Sequence, residues 1–355
     1  MPERVFGPSS SHGVTVNAGS IIKARIRQES GVTQTLKHLR FGVAQLEPQG
    51  RGLVPLPTGD PAEGLPPPPT YIYIGQNTGN LQKVHIEDQA GVWANSAAVQ
   101  AVHGVDVDAD GFVYAGEQGN FLRKHDPDDG TVVWEVGTVD TVRDVKVGPD
   151  GWVFACGDDG AVRKYDPSDG SEITTDDWPF TGHTGEVWRI AIDSIGQVYS
   201  VGSDDTVRKI TTAGQQVWLY TGFTHAVFGV DVDADGFVYA TGRDETVHKI
   251  DPDGNNVWVN DTALSARGRC IAVDPHGFIY VGVTVGTSEV FKFDNDGVLV
   301  WSETEDRASA DDVKVDVDGF SYWSFSVPNE MMQLDADGNT VWTYPVGTPR
   351  GLAIS

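Results

Sequence analysis

The sequence contains little cysteine and little lysine, and it lacks long apolar runs. Among its 355 residues are two cysteines, Cys156 and Cys270. They fall in different copies of the repeat described below, so we expect both to be unpaired and buried. No run approaches the ~18 apolar residues of a membrane-spanning helix, so no membrane insertion is expected. Residues 1–8 contain no apolar core of a secretory signal, and none is expected there.

Acidic residues outnumber basic ones by about two to one. The 51 Asp and Glu oppose 25 Lys and Arg, which gives a net charge of −26; 37 of the acids are Asp and only 10 of the bases are Lys. Such a surface repels nucleic acid and anionic membranes, so neither is an expected partner. The composition resembles that of proteins from halophilic organisms, whose carboxylates keep them hydrated in concentrated salt. Alternatively, Asp is used as a turn residue, which does not explain the scarcity of Lys.

Residues 102–136 form the unit that the rest of the chain repeats. Four short β-rich runs alternate with turns that contain Asp, Gly or Asn; the runs are residues 105–108, 112–115, 121–125 and 132–136. Four such runs predict a small antiparallel meander. One sheet of this kind leaves a face uncovered, and further copies stacked against it would bury both faces.

Two turn glycines mark further copies at a period near 40 residues. The glycine of the first turn recurs as Gly111, Gly151, Gly196, Gly236, Gly277 and Gly319. The glycine of the third turn recurs as Gly91, Gly130, Gly170, Gly214, Gly254, Gly297 and Gly338. Four residues after it, five copies carry a tryptophan: Trp134, Trp218, Trp258, Trp301 and Trp342. This period, with four strands per unit, predicts an all-β fold, the β-propeller.

The two ends of the repeat region complement each other. The first copy, which begins at Tyr71, has only three strands, and the last five residues, 351–355, form a lone strand. Leu352 and Ile354 match the apolar positions of the innermost strands, so this tail is predicted to complete the first blade. Residues 71–355 are therefore expected to form a seven-bladed propeller that is closed by the C-terminal strand.

Residues 1–70 differ from the repeats in composition and in pattern. Residues 1–46 are predicted to form a small docking module, and residues 47–70, with eight prolines, predict a stiff extended linker. Alternation in residues 22–27 predicts a strand, and the apolar spacing of residues 32–46 predicts an amphipathic helix. One face of the strand is a basic stripe of Lys23, Arg25 and Arg27. The stripe is either a docking face for an acidic partner or a solvated strand face.

The innermost strands, aligned on the first turn glycine, predict a ring of side chains at one end of a central channel. Residues six and four positions before the glycine are apolar in every copy and should pack between blades. The residues between them should face the channel: Asp106, Lys146, Ala191, Asp231, Ala272, Lys314 and Ala353, with Asp144, Arg189 and Asp312 one rung further out. Their charges are expected to neutralise one another. Eight positions before the glycine, at the channel mouth, stand His103, Arg143, Trp188, Phe228, Arg269, Asp311 and Arg350.

The seven mouth residues are the candidate ligand site. Aromatic faces suit sugar rings, and arginine suits carboxylates or sulfates, so the mouth is predicted to be a ligand site, with a host-surface glycan as the candidate ligand. The alternative is that these side chains cap the blade tops without binding a ligand. Asp106, Asp108, Asp110 and Glu117 match the spacing of a calcium loop, but a strand and a turn already use the same residues. Calcium is thus a secondary candidate, and no other cofactor is expected.

The third strand of six blades carries a lysine. This regular recurrence predicts ion pairs between the lysines and turn aspartates that support the fold, rather than a single functional site. These lysines are Lys83, Lys124, Lys164, Lys209, Lys249 and Lys292.

Several repeats resemble known propeller families. Residues 126–134 and 164–170, the latter Lys-Tyr-Asp-Pro-Ser-Asp-Gly, resemble pyrroloquinoline-quinone-type repeats. Residues 182–208 resemble a WD repeat, although Ile210 stands where that family has a tryptophan. The resemblance implies a propeller for residues 71–355. Quinone enzymes of this type carry extra blades, a vicinal cysteine pair and a calcium cluster, which this sequence lacks. It also shows no nucleophile–base pair, zinc spacing or phosphate loop, so no enzyme is expected.

Two functions from different classes fit the sequence. The chain resembles propeller-bearing appendage proteins of tailed viruses, including those of haloarchaea. This implies a structural and adhesion protein of the virion surface, such as a capsid turret or a tail appendage. Residues 1–70 would then dock to other virion proteins in a homo-oligomeric assembly, and the propeller would bind a host surface glycan or glycoprotein. The alternative is a soluble, cytoplasmic propeller scaffold or assembly factor that mediates protein–protein interaction.

Overall fold

The computed structural model describes residues 71–96, 100–284, 289–304 and 307–355. These residues belong to one compact unit. None of them belongs to a helix that is long and apolar enough to cross a membrane. The predicted docking module, residues 1–46, and the linker, residues 47–70, lie outside the described residues, and so do Lys23, Arg25 and Arg27.

Twenty-seven β-strands make up the described fold. The first fourteen are β1 (Tyr71–Gln76), β2 (Leu81–His85), β3 (Gly91–Asn95), β4 (Val102–Val107), β5 (Val113–Glu117), β6 (Phe121–His125), β7 (Val132–Gly137), β8 (Val142–Val147), β9 (Val153–Gly157), β10 (Val162–Tyr165), β11 (Val187–Ile192), β12 (Val198–Gly202), β13 (Val207–Ile210) and β14 (Gln216–Tyr220). The others are β15 (Val227–Val232), β16 (Val238–Gly242), β17 (Val247–Ile250), β18 (Asn256–Asn260), β19 (Arg267–Val273), β20 (Ile279–Thr284), β21 (Glu289–Phe293), β22 (Leu299–Thr304), β23 (Ala308–Val315), β24 (Ser321–Val327), β25 (Asn329–Leu334), β26 (Thr340–Pro345) and β27 (Pro349–Ile354).

The strands form seven antiparallel sheets, which are the blades of a propeller. Blade 1 has the order β27-β1-β2-β3, and blades 2 to 7 follow in sequence as β4–β7, β8–β10, β11–β14, β15–β18, β19–β22 and β23–β26. The predicted all-β, seven-bladed fold is confirmed. Blade 3 has three strands, because an insertion after β10 replaces the regular outer strand with isolated bridges, such as that between Val162 and Phe180.

The C-terminal strand closes the ring as predicted. In the antiparallel pairing of β27 with β1, Leu352 lies opposite Ile74 and Ile354 lies opposite Ile72. The Ser355 N–H donates to the Tyr71 carbonyl at 3.0 Å. Blade 1 therefore combines the first and the last described segments of the chain, so the two ends hold each other in place.

A hydrophobic cluster fills the space between each pair of neighbouring blades. The cluster between blades 1 and 2, for example, contains Tyr73 and Leu81 of blade 1 and Val102 and Val113 of blade 2. Val105, six positions before the first turn glycine, is 1% exposed, as predicted for an inter-blade position. Burial of each such side chain contributes about 1.5–3 kcal/mol to the free energy of folding. The apolar contacts between neighbouring blades therefore provide most of the stabilisation.

A lysine and a tryptophan of one blade bind a single carbonyl of the next. Lys83 Nζ and Trp93 Nε1 donate to the Pro127 carbonyl at 2.7 and 3.1 Å. The same pairs recur on the carbonyls of Pro167, Thr212, Pro252, Asn295 and Ala336. The predicted pairing of these lysines with turn aspartates is wrong for most of them. Each side chain lies over the aromatic rings of the adjoining strand, which directs its ammonium group to the next blade.

The third turn glycine makes room for this tryptophan. Gly130 has a φ of 72°, and a Cβ atom there would lie 2.5 Å from the Trp93 ring. In blade 3 the insertion moves the tryptophan to Trp178, eight residues after Gly170, and its indole still donates to the Thr212 carbonyl at 3.0 Å. The spacing of four residues used to find the tryptophans therefore misses this one.

Both cysteines are unpaired and buried, as predicted. Cys156 lies in β9 and Cys270 in β19, on different blades. Burial raises the pKa of both thiols, which favours the neutral, unreactive form.

Candidate ligand site at the channel mouth

A β-bulge in each innermost strand turns one side chain into the mouth. In blade 3, Val142 pairs with Gly157 and Asp144 with Cys156, so Arg143 is the extra residue. The register shifts in the same way in all seven blades, and the extra residues are His103, Arg143, Trp188, Phe228, Arg269, Asp311 and Arg350. A bulge re-aims a side chain that strict alternation would point elsewhere. These are the seven residues of the predicted site.

The seven side chains line one cavity of about 340 Å³. Four further residues, which the sequence analysis did not assign to the mouth, complete its wall: Asn77, Gln118, Glu186 and Arg189. Asn77 and Gln118 occupy corresponding positions just after the second strands of blades 1 and 2. The sequence-predicted ring is thus brought together. Asn77 and Gln118 join it from just after these second strands, Arg189 from the innermost strand of blade 4, and Glu186 from the residue before that strand.

One side of the cavity is aromatic. The rings of Trp188 and Phe228 stack with centroids 4.7 Å apart, and the Arg269 guanidinium lies 5.8 Å from the Phe228 centroid. Trp188 Nε1 donates to Glu186 Oε2 at 2.7 Å, which fixes the orientation of the indole. A flat, fixed aromatic face of this kind binds the apolar face of a sugar ring.

Arg143 is held in place by a carboxylate outside the cavity wall. Its Nε and Nη2 donate to the two carboxylate oxygens of Asp158 at 2.5 and 2.8 Å. Such a fork-to-fork pair is the strongest geometry of an arginine–carboxylate contact. The charge of Arg143 is therefore largely compensated before any ligand arrives.

Arg269 and Arg350 share one carboxylate oxygen. Arg269 Nη2 and Arg350 Nη1 each lie 3.4 Å from Asp311 Oδ1. Burial lowers the pKa of Arg269, and the positive charges of Arg189 and Arg350 add to that effect against the opposing Asp311. The lower pKa therefore reports mainly the burial of this guanidinium in the wall of the mouth.

His103 is uncharged at neutral pH. Its pKa falls to about 3, first because the ring is buried and then because Arg143, Arg350 and Arg189 repel a proton. The cavity wall as a whole holds four arginines against two carboxylates, those of Glu186 and Asp311. Residues 71–355 carry 46 acidic and 18 basic residues, so a positive cavity opens within a strongly negative propeller. An anion is attracted to this cavity and repelled by the surrounding surface.

Below the mouth, aspartates of the channel wall form hydrogen bonds to the backbone of the adjacent blade. Asp106 Oδ2 accepts the Val147 N–H of the next blade at 2.7 Å, and Asp231 Oδ2 accepts the Val273 N–H at 2.9 Å. Asp144 and Asp312 make the same contact and also pair with a lysine of their own strand, Lys146 at 3.1 Å and Lys314 at 3.4 Å. The predicted neutralisation thus takes the form of two ion pairs between adjacent rungs, Asp144–Lys146 and Asp312–Lys314, and the charge of Lys146 also acts on Asp106 within its own rung.

The calcium-loop residues do not form one ligand set. Asp106 faces the channel, and Asp108 accepts the Tyr114 hydroxyl at 2.9 Å together with two backbone N–H groups of its own turn. Glu117 is buried against Arg123, and Asp110 is exposed in the turn. Among the described residues, no group of three or more His, Cys, Asp or Glu side chains is placed to hold a metal ion.

A serine–histidine–aspartate chain lies in blade 4, where the sequence analysis found no nucleophile–base pair. His183 Nε2 lies 2.8 Å from Ser200 Oγ, and His183 Nδ1 lies 3.0 Å from Asp204 Oδ1. Ser200 is 0% exposed and His183 is 7% exposed. Ser200 lines neither the mouth cavity nor the channel below it, so these three side chains support the sheet. The sequence signal was the Gly-His and Ser-Asp-Asp pattern of the WD-like repeat.

The second half of the propeller matches a known family. Residues 203–354 match the family model of the outer membrane protein assembly factor BamB, of PQQ type. The segment begins in blade 4 and includes blades 5 to 7 and most of β27, which is less than half of the chain. The predicted resemblance to PQQ-type repeats is confirmed for this segment, whereas residues 126–134 and 164–170, which first suggested it, precede the match. A comparison with curated proteins found no match.

Proposed function

We propose that the chain is a non-enzymatic virion adhesion protein whose channel mouth binds an anionic glycan or glycoprotein of the host surface. The observation that carries this proposal is the cavity itself. It combines four arginines with the stacked Trp188 and Phe228, and it opens within a strongly acidic propeller. Binding of this kind needs rigid, preplaced groups rather than a nucleophile. The bulges provide such groups, because all seven mouth residues lie on β-strands.

Binding at the mouth is tested on a glycan array. The wild-type chain is applied beside Arg350→Gln and Trp188→Ala, with Arg243→Gln as a charge-matched control. Arg243 is exposed and does not line the cavity. The wild type and the control should retain acidic glycans, and both mouth variants should lose them. Retention that is equal in all four proteins, or confined to neutral glycans, would contradict a role for the mouth.

The virion assignment rests on the two-part layout and on the resemblance to viral appendage proteins. In this proposal residues 1–70 dock to other virion proteins through Lys23, Arg25 and Arg27, and a homo-oligomer displays the propellers at the virion surface. Mass spectrometry of purified particles is the direct test. The chain should be present at a stoichiometry that fits a symmetric appendage, and its absence from particles would rule this location out.

A cellular scaffold or assembly factor is the second candidate. It is favoured by the match of residues 203–354 to a family described as an assembly factor. In that case the chain would occur in the cytoplasm of uninfected cells and would be a soluble monomer in isolation. Cell fractionation with an antibody against the chain, together with light scattering of the purified protein, separates the two candidates.

Adaptation to concentrated salt is part of the primary proposal. Residues 71–355 carry a net charge of −28, and dissolved salt screens the repulsion among these carboxylates. The melting temperature should therefore rise between 0.1 and 2 M NaCl. A melting temperature that stays constant or falls over this range would argue against a halophilic source.

A further inference from the structure

Arg269 and Arg350 have unused hydrogen-bond donors at the cavity. A guanidinium carries five N–H donors, yet among the described residues each of these arginines makes one hydrogen bond, at 3.4 Å to Asp311 Oδ1. The Nε atoms of both are buried without a partner. Arg143, by contrast, is held by Asp158 at 2.5 and 2.8 Å. Of these three arginines, Arg269 and Arg350 are therefore the ones that can accept a further anionic partner.

Asp311 is almost completely buried and yet poorly satisfied. It is 2% exposed, and its Oδ1 accepts from Arg269 and Arg350 at 3.4 Å and from Ser309 Oγ at 3.5 Å. Its Oδ2 has no partner among the described residues. A buried acceptor without a donor is costly, and a ligand hydroxyl or a bridging water would satisfy it. A ligand could therefore add a hydrogen-bond donor for Asp311 Oδ2 and a hydrogen-bond acceptor for the unused N–H groups of Arg269 and Arg350.

Backbone strain marks the same place. Ser309 has a φ of 57°, in the left-handed region that residues other than glycine rarely adopt. Its hydroxyl lies within 3.5 Å of Asp311 Oδ1. Strain of this kind persists where the surroundings enforce it, and it clusters at ligand sites. It is a feature independent of the unpaired polar atoms.

Charge and size limit what the cavity holds. Asp158 pairs with Arg143 from outside the wall, and Asp144 and Asp312 attract Arg189 from the channel below. Arg269 and Arg350 share the single carboxylate of Asp311, which leaves about one positive charge of this pair unmatched. One negative charge on a ligand balances it, whereas a second would meet the carboxylate of Asp311. A cavity of about 340 Å³ is at the small end for ligand sites, and it suits a single sugar ring rather than a longer chain.

We propose that the mouth selects a sugar acid with one carboxylate and neighbouring hydroxyl groups. Its carboxylate binds the free donors of Arg269 and Arg350, a hydroxyl donates to Asp311, and the ring lies beside Trp188. Asp311 is then a specificity-determining residue, because its charge disfavours ligands with two or more negative charges. This inference rests on the proposed function, since it names the ligand class of the same cavity.

Titration calorimetry of the full-length chain with defined sugars tests the selection. The sugar acids are the methyl glycosides of glucuronic, galacturonic and N-acetylneuraminic acid. The competitors are methyl glucoside, glucose 6-sulfate and glucose 6-phosphate. At least one sugar acid should bind about tenfold more tightly than methyl glucoside, which lacks the charge-assisted pair, and than glucose 6-phosphate, whose second charge meets Asp311. Glucose 6-sulfate also carries one negative charge, but its oxygens are weaker hydrogen-bond acceptors than those of a carboxylate, so it should bind less tightly than the best sugar acid. A sulfate or phosphate ester that binds as tightly as the best sugar acid overturns this inference and leaves the proposed glycan binding intact.

Three variants assign the selection to residues. Arg350→Gln should weaken binding of the sugar acid about tenfold or more, and Arg350→Lys should weaken it less, because it keeps the charge but loses the planar fork. Asp311→Asn should tighten binding of glucose 6-phosphate about fivefold, because it removes a like charge. Arg243→Gln should change neither. If Arg350→Gln does not melt cooperatively, Arg269→Gln takes its place.

The outcomes separate the inference from the proposed function. An unchanged affinity of the folded arginine variants for the sugar acid, or an Asp311→Asn protein with unaltered preference, overturns the assignment of these residues. If no anionic sugar binds in a way that depends on the mouth, the proposed function is lost together with this inference.

Discussion

The indole ring of Trp188 and the phenyl ring of Phe228 lie nearly parallel, with an interplanar angle of 10° and centroids 4.7 Å apart. Trp188 lies on β11 of blade 4 and Phe228 on β15 of the neighbouring blade 5. Each is the extra residue of a β-bulge. The stack therefore exists only when two sheets close against each other with this register. It links the closure of the ring to the shape of the candidate site.

The stack predicts a difference between two substitutions of Trp188. Trp188→Ala should weaken glycan binding at least about tenfold, because a half-buried aromatic face is lost. Trp188→Phe keeps a stacked ring and should lose much less. Calorimetry with the best glycan from the array measures both, and thermal melting checks that the fold is retained. Equal losses in the two variants would show that the ring face is not used.

The bulges were readable in the sequence, although strict alternation does not reveal them. Apolar residues of the innermost strand lie nine, six and four positions before the turn glycine in blades 2 to 5, as with Val102, Val105 and Val107 in blade 2. A spacing of three followed by two departs from the period of a regular strand, and it marks the extra residue between them. The ring of seven could therefore be predicted from local sequence alone.

Other features of the site depend on contacts between distant residues. Asp158 binds Arg143 across the sheet, and Asp311 meets Arg269 and Arg350 from neighbouring blades. No local pattern encodes these pairs, because they follow from how tightly adjacent sheets close. The same holds for the lysines of the third strands. Their regular spacing predicted a structural role, but it did not predict the partner of each lysine, which is a backbone carbonyl of the next blade.

Ring closure predicts a strong effect of Leu352→Ala. Leu352 is 0% exposed and belongs to the cluster between blades 7 and 1. Its truncation should lower the free energy of unfolding by about 2–5 kcal/mol, because a cavity opens in that interface. Chemical denaturation measures the loss. Leu299→Ala serves as the control, because Leu299 is 42% exposed and should cost far less. Similar losses at both positions would contradict closure by the C-terminal strand.

The shared carbonyl predicts coupling between Lys292 and Trp301. Both donate to the Ala336 carbonyl, at 2.9 and 3.1 Å. Lys292→Met and Trp301→Phe should each destabilise the protein by about 1–2 kcal/mol, because each removes one hydrogen bond to the Ala336 carbonyl. The loss stays small because the other donor remains. The double variant should lose more than the sum by at least about 0.5 kcal/mol, because the carbonyl then has no side-chain donor. Val298→Ala, at a position that is 61% exposed, is the control. Strict additivity would show that the two contacts are independent.

The depressed pKa of His103 predicts a pH dependence of stability. In the unfolded chain an imidazole takes up a proton below about pH 6.5, whereas His103 in the folded protein does so only near its pKa of about 3. Protons therefore favour the unfolded state, and the stability present above pH 6.5 is lost as the pH falls from 6.5 towards 3. Between pH 7.5 and pH 5 the wild type should lose up to about 2 kcal/mol more than His103→Gln.

Urea unfolding at pH 7.5 and pH 5 measures this difference. His225→Gln is the control, because His225 is exposed. It should reproduce the pH dependence of the wild type. If His103→Gln shows that same dependence too, the burial of His103 and its positive surroundings do not depress its pKa as described.

We propose that the channel mouth binds an anionic glycan through Arg269 and Arg350, which share the carboxylate of Asp311 and have further donors to offer. The most direct measurement is the dissociation constant of the chain for the acidic glycan that it retains best, in the wild type, in the Arg269→Gln/Arg350→Gln double variant and in Arg243→Gln. We predict that the folded double variant binds at least about a hundredfold more weakly, and that Arg243→Gln binds like the wild type. A double variant that melts like the wild type and binds the glycan with unchanged affinity would contradict the claim.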